Sequence, residues 1–162
     1  MRKSILVRGP VFSVSGYGEQ TRFALRALRK RLDIFDIHLI PTIWGKTSWM
    51  STIDEEREWF DSLVMKTAKY IEKNGAYDLT LQITIPNEWE KLAPFNVGYT
   101  AGIETTMVSP EWIQKSKLMD KIIVVSEHSK QVYAGTVYEG KNPQNGEIHE
   151  LRCTTPIDVV HF

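Results

Sequence analysis

Short apolar runs separated by longer amphipathic stretches set the pattern of this chain. Ser4–Val7 is apolar and is stopped by Gly9-Pro10, so it reads as a buried strand. After a polar, glycine-bearing loop, Ser13–Gly18, an amphipathic helix is expected from about Glu19 to Arg31. Phe23, Ala24, Ala27 and Leu28 fall on its apolar face, with Arg22, Arg26, Arg29 and Lys30 largely opposite. Asp36–Ile40 is a second strand stopped by Pro41. The loop Pro41–Ser51 then leads to Thr52-Ile53-Asp54-Glu55, whose spacing suits a capping box with Thr52 as N-cap. The long helix that follows should end at Asn74-Gly75.

The second half repeats the alternation. Strands are expected at Asp78–Ile85, Asn96–Thr100, Lys121–Val125 and Pro156–His161. Ser109-Pro110-Glu111 is a strong helix start, and Ser126 can cap a short helix from Glu127 to Tyr133. "TVYEG" and "EIHELRC" flank a turn signal at Pro143–Gly146 and read as a C-terminal β-hairpin. Strands alternating with helices predict one α/β domain over residues 1–162, a Rossmann-like three-layer α/β/α sandwich with a mostly parallel sheet. Ligands of such sheets bind outside the carboxyl ends of the strands. The informative loops are then Arg8–Gly18, Pro41–Ser51, Pro86–Phe95, Ala101–Val108 and the turn at Ser126.

Composition narrows the picture only slightly. The chain has 162 residues, 42% hydrophobic and 25% charged, with Lys+Arg and Asp+Glu balanced at 20 each. That balance gives no electrostatic footprint for nucleic acid or a membrane surface. One cysteine, Cys153, excludes an internal disulfide and fits a reducing compartment, and no stretch approaches a membrane span. A cytoplasmic protein is the expectation. Of five tryptophans, Trp44, Trp49 and Trp89 lie in expected loops, where such rings serve as half-buried anchors or as ligand platforms.

Candidate chemistry centres on a few segments. Gly16-Tyr17-Gly18-Glu19-Gln20-Thr21 begins like a dinucleotide fingerprint but lacks its third glycine, and eight residues lie between Val7 and Gly16 where a tight turn is needed. Pro41 stands where an acid should close the second strand, which argues against NAD. A helix start behind glycines remains: an anion or sugar-hydroxyl cradle, or a plain cap. Gly45-Lys46-Thr47 lacks the first glycine of a P-loop. His38, His128, His149 and His161 show no metal spacing, and His128 alone falls near the functional edge. Glu104, after the fourth strand, can accept from a ligand hydroxyl or pair with a basic residue such as Arg8.

Taken in order, four segments resemble family 4-like glycosyltransferases of the GT-B architecture. These are "SGYGEQTRFALRAL", "GYTAGIETTMVSPEWI", "MDKIIVVSEHSK" and the closing "TTPIDVVHF". The resemblance implies the N-terminal, acceptor-side half of a two-domain enzyme that moves a sugar from a nucleotide-sugar donor to a hydroxyl acceptor. It implies no bound metal or other cofactor. Carried onto this chain, Gly16, Gly18, Glu19 and Arg22 would lie toward the donor phosphates, with free N–H groups at Gly18–Gln20. Trp44, Trp49, Glu104, Ser126 and His128 would lie on the acceptor side. The donor-binding signature of the second domain is absent, so the chain is expected to be inactive alone. Two other readings stand beside this one. The chain could be a non-catalytic module whose loop tryptophans stack on glycans or a partner protein. It could also be a Rossmann-like enzyme of another class using Ser126 and His128.

Overall fold

The computed structural model describes residues 1–43, 48–101 and 105–161. It contains β1 (Lys3–Gly9), α1 (Gly16–Arg29), β2 (Phe35–Pro41), α2 (Glu55–Glu72), β3 (Leu79–Ile83) and β4 (Phe95–Tyr99). These are followed by α3 (Pro110–Ser116), β5 (Lys121–Val124), α4 (Glu127–Gly135), β6 (Val137–Lys141), β7 (Ile148–Arg152) and β8 (Ile157–Val159). Six strands form one sheet in the order β2-β1-β3-β4-β5-β8, with parallel pairing between neighbours. β6 and β7 form the expected hairpin apart from it, antiparallel, with Gly146 at positive φ in its turn. The architecture is α/β and Rossmann-like.

Strand alternation sorts the side chains into two cores. Ile5, Val7, Ile37, Leu39 and Ile83 pack with Leu25 of α1 and with Phe60 and Leu63 of α2. Ile122, Val124 and Ile157 pack with Ile113 of α3 and with Val132 and Tyr133 of α4. The sheet is therefore sandwiched between two helical layers. Reversal of strand order between β1's two neighbours puts the switch point at the carboxyl ends of β1 and β3.

Two helix starts differ from expectation. α1 begins at Gly16, not Glu19, because Ser15 caps it: its Oγ accepts from the Gly18 N–H at 3.1 Å. α2 is capped by Asp54, not Thr52. The Asp54 carboxylate accepts from Arg57 N–H at 2.8 Å, and Glu55, Glu56 and Glu58 then occupy the dipole's positive end. Ser109 and Ser126 cap α3 and α4 as expected. The α1 faces are also redistributed. Leu25 and Thr21 are fully buried, Arg22 turns inward, and Phe23 is half exposed.

The β3–β4 crossover holds no α-helix, only a single turn at Pro86–Glu88. Trp89 fills the missing layer. It is fully buried, and a Cβ on Gly98 would sit 2.5 Å from its ring. Two buried amides tie the loop down. Gln82 Nε2 donates to Glu90 O at 2.6 Å while its Oε1 accepts from Glu90 N–H at 2.9 Å. Asn96 Oδ1 accepts from Thr80 Oγ1 and from the Leu92 and Ala93 N–H groups. Trp89 is thus an anchor.

Candidate functional site

The carboxyl edge of the sheet is built from two loops laid together. Residues after β1 pair with residues after β2: Val14 N–H donates to Ser48 O at 2.7 Å, Met50 N–H to Phe12 O at 2.9 Å, and Ser13 bridges Trp49. This holds the Trp49 ring 6.5 Å from the buried Phe12 ring, stacked, with Trp49 itself 54% exposed. Arg57 reinforces the arrangement from α2. Its guanidinium lies 4.1 Å from the Phe12 ring centre and donates to Met50 O at 2.9 Å. Val14, Ile43 and Ile53 are further exposed apolar side chains of these two connections.

Beneath this edge lies the start of α1. A Cβ on Gly18 would fall 2.0 Å from Ser13 O and 3.0 Å from Pro10 O. Glycine is needed there for close packing of helix against loop. At Gly16 a Cβ would meet nothing within 4 Å, so the surface in front of the first turn is open. The N–H groups at positions 18 and 19 are not free. Gly18 donates to Ser15 Oγ and Glu19 to Ser15 O, the normal needs of a capped helix.

Arg22 turns into the fold. Its guanidinium is buried and donates to Val11 O at 2.7 Å, to Ser13 O at 2.8 Å and to the Glu19 carboxylate at 2.7 Å. A side chain bound to two loop carbonyls supports the loop from behind and does not face a ligand phosphate. Glu19 is its ion-pair partner, half exposed at the surface.

Tyr17 gives the site a side chain that the sequence did not single out. Its hydroxyl lies 3.0 Å from Thr100 Oγ1, and Ala101 N–H donates to it at 3.4 Å. It therefore joins the α1 start to the end of β4. Burial pushes its pKa up, with hydrogen bonds from Thr100 and Ala101 opposing that rise, so the phenol stays protonated. The only hint in sequence was an aromatic residue between the two glycines. Arg8, at the end of β1, donates to Glu88 O at 2.6 Å across the switch point.

Ser126 lies just past β5, the strand next to β4, and its Oγ accepts from Ser129 N–H and contacts Ser129 Oγ at 3.0 Å. It is a helix cap. His128 is exposed and lines a shallow hollow of about 280 Å3 with Thr106, Gln131, Val132 and Gly135. Trp44 and Glu104 lie outside the described residues. The structure thus brings together Gly16, Tyr17, Trp49 and Thr100 at one edge, and leaves His128 on the helical layer of α3 and α4. Among the described residues, no cluster of three His, Cys, Asp or Glu side chains could hold a metal ion, and no helix is long and apolar enough to cross a membrane.

Comparison with known proteins finds no match: no family model, no curated protein and no solved structure is similar to the chain.

Proposed function

We propose that the chain is the acceptor-side, Rossmann-like domain of a two-domain glycosyltransferase of the GT-B kind. The observation that carries this reading is Trp49, a half-exposed indole fixed on Phe12 at the carboxyl edge and bridged to Ser13, in the loop that leads into the open α1 start at Gly16. An indole held by a rigid backing offers a sugar ring a flat apolar platform at little entropic cost. The helix start at Gly16 offers a partial positive charge to a diphosphate approaching from a second domain. In the reaction, the acceptor oxygen bonds to the anomeric carbon as the bond from that carbon to the diphosphate breaks. The nucleoside diphosphate keeps the electron pair, and a base takes the acceptor proton. Arg22 serves in this reading as a positioning residue that holds Val11 and Ser13, and through Ser13 the Trp49 strand. The isolated chain binds acceptor but does not turn over, because the transition state needs the second wall of the cleft.

A second reading, a glycan-binding module without catalysis, is favoured by one observation. The Gly18 and Glu19 N–H groups and Arg22 are engaged within the fold, which leaves little of the anion site. Tryptophan fluorescence titration with oligosaccharides and with nucleoside diphosphates separates the two. Under the transferase reading, saccharide binding is lost in Trp49→Ala, and joining a donor-binding domain confers transfer. Saccharide affinity unchanged by Trp49→Ala would sink both readings, and transfer absent from the two-domain protein would leave only the module.

A further inference from the structure

The β3–β4 crossover places one short turn at the switch point, and the fold holds that turn from several sides. Pro86 opens it, Glu88 N–H donates to Ile85 O at 3.0 Å, and Trp89 N–H donates to Pro86 O at 3.1 Å. Trp89 is buried against Gly98, and Asn87 Nδ2 donates to the Glu111 carboxylate of α3 at 3.1 Å. Arg8, at the end of β1, holds the Glu88 carbonyl. Glu88 therefore stands on fixed backbone at the place where sheets of this kind take their ligands.

Two opposite charges are left open there. Arg8 and Glu88 are both partly buried. Arg8 donates to Glu88 O at 2.6 Å and makes a longer contact to Gln82 Oε1 at 3.5 Å, in each case from Nη1. Its Nε and Nη2, and both Glu88 carboxylate oxygens, have no hydrogen-bond or ion-pair partner among the described residues. None of these atoms is sealed from solvent, unlike the unpaired Thr84 Oγ1 and Asn87 Oδ1 of the same crossover. Tyr17 ties the pair to the carboxyl edge. Burial, and after it the Glu88 charge, raises the Tyr17 pKa against its hydrogen bonds to Thr100 and Ala101, so the carboxylate lies within electrostatic reach of that hydroxyl.

We propose that Arg8 and Glu88 bind neighbouring hydroxyls of a neutral saccharide, Arg8 as donor and Glu88 as acceptor. A guanidinium only donates and a carboxylate only accepts, whereas a sugar hydroxyl does both, so adjacent hydroxyls of one ring satisfy the two groups together. A phosphate or carboxylate ligand would suit Arg8 but meet the Glu88 charge. An ammonium ligand would suit Glu88 but meet Arg8. The assignment rests on the saccharide reading of the carboxyl edge. It adds to the Trp49 platform the few polar contacts that fix a ligand's orientation.

The test is a calorimetric titration with three neutral trisaccharides, maltotriose, cellotriose and chitotriose. Saturable binding of at least one is expected. Glu88→Ala should weaken it about tenfold or more, the loss of a hydrogen bond to a charged group. The melting temperature should stay unchanged, because the carboxylate holds nothing within the described fold. Glu88→Gln keeps an acceptor and should lose less. Equal affinity in Glu88→Ala, with binding lost in Trp49→Ala, would overturn the proposal and leave the indole platform standing. Weaker binding in Glu88→Ala, with binding kept in Trp49→Ala, would support Glu88 and sink the platform. A melting temperature that falls along with affinity in Glu88→Ala would make Glu88 a prop for the turn and overturn the assignment. No saturable binding of any of the three would overturn it together with the saccharide reading.

Discussion

The Arg22 guanidinium donates to the Ser13 carbonyl at 2.8 Å, and that same carbonyl is the atom a Cβ on Gly18 would strike. One turn of α1 therefore supports the loop with a charge at one residue and makes room for it with a missing side chain at another. Truncating Arg22 removes the guanidinium hydrogen bonds to the Val11 and Ser13 carbonyls. Arg22→Ala is expected to lower stability by about 2–4 kcal/mol, from the loss of two charge-assisted hydrogen bonds to buried carbonyls at roughly 1–2 kcal/mol each. Urea denaturation checks this. An Arg22→Ala protein as stable as the parent would show that the loop does not depend on this contact.

The two glycines at the start of α1 should respond oppositely. Gly18→Ala forces a methyl to 2.0 Å from Ser13 O, so helix and loop must separate, and a loss of more than about 2 kcal/mol is expected from overpacking. Gly16→Ala meets open space, and alanine restricts the unfolded chain more than glycine does. It should be neutral or stabilising by up to about 1 kcal/mol. Paired thermal melts decide, and equal effects at the two positions would refute the steric account of Gly18.

These contrasts mark where the sequence was legible. β1, β2, β4 and β5 stood out as apolar runs bounded by glycine or proline, or by cap residues, and Ser109-Pro110 and Ser126 announced their helices through local chemistry. Such signals act within a few residues. What stayed hidden depends on contacts distant in sequence or on direction. The role of Gly18 is set by where Ser13 O lies, and the inward turn of Arg22 by two loop carbonyls. Trp89 was one of three loop tryptophans until Gly98 came beneath it. Of the edge residues, Trp49 was legible as a type and Tyr17 was not, because its partner Thr100 is 83 positions away.

Stability should fall as pH drops below neutral, with His38 as a main cause. Its ring is buried against Tyr70 and Tyr77. Burial first, then the Lys66 charge, holds its pKa below the ordinary value of 6.5, although Asp36 works against both. The folded state thus binds a proton less readily than the unfolded chain. Stability from this group is complete above the unfolded pKa and declines as pH falls below about 6.5 toward the folded value. Asp36 adds in the same direction at lower pH. Burial pushes its pKa up, but Lys66 and His38 outweigh that and hold it below the usual carboxylate value. Denaturation at a series of pH values checks this: the slope between pH 7 and 5 should flatten in His38→Gln. An unchanged slope would place the titrating group elsewhere.

Asn96 gives the sharpest test of how the helix-free crossover is held. Its fully buried amide accepts from Thr80 Oγ1 at 2.8 Å and from the Leu92 and Ala93 N–H groups at 3.1 and 3.2 Å, and it donates to Ala93 O at 2.8 Å. Asn96→Ala leaves three donors and one acceptor facing a small cavity. Water entering that space would recover part of the pairing, so a loss of about 3–5 kcal/mol is expected rather than the sum of four orphaned groups. Asn96→Asp keeps an acceptor for the three donors but turns a carboxylate oxygen toward Ala93 O, with its charge buried, and should destabilise as well. Hydrogen exchange separates this local account from general weakening. The Leu92 and Ala93 amides should lose protection in Asn96→Ala before those of β1 and β3 do. Simultaneous loss across the sheet would mean that the loop and the sheet open as one unit, and that Asn96 is not a local clasp.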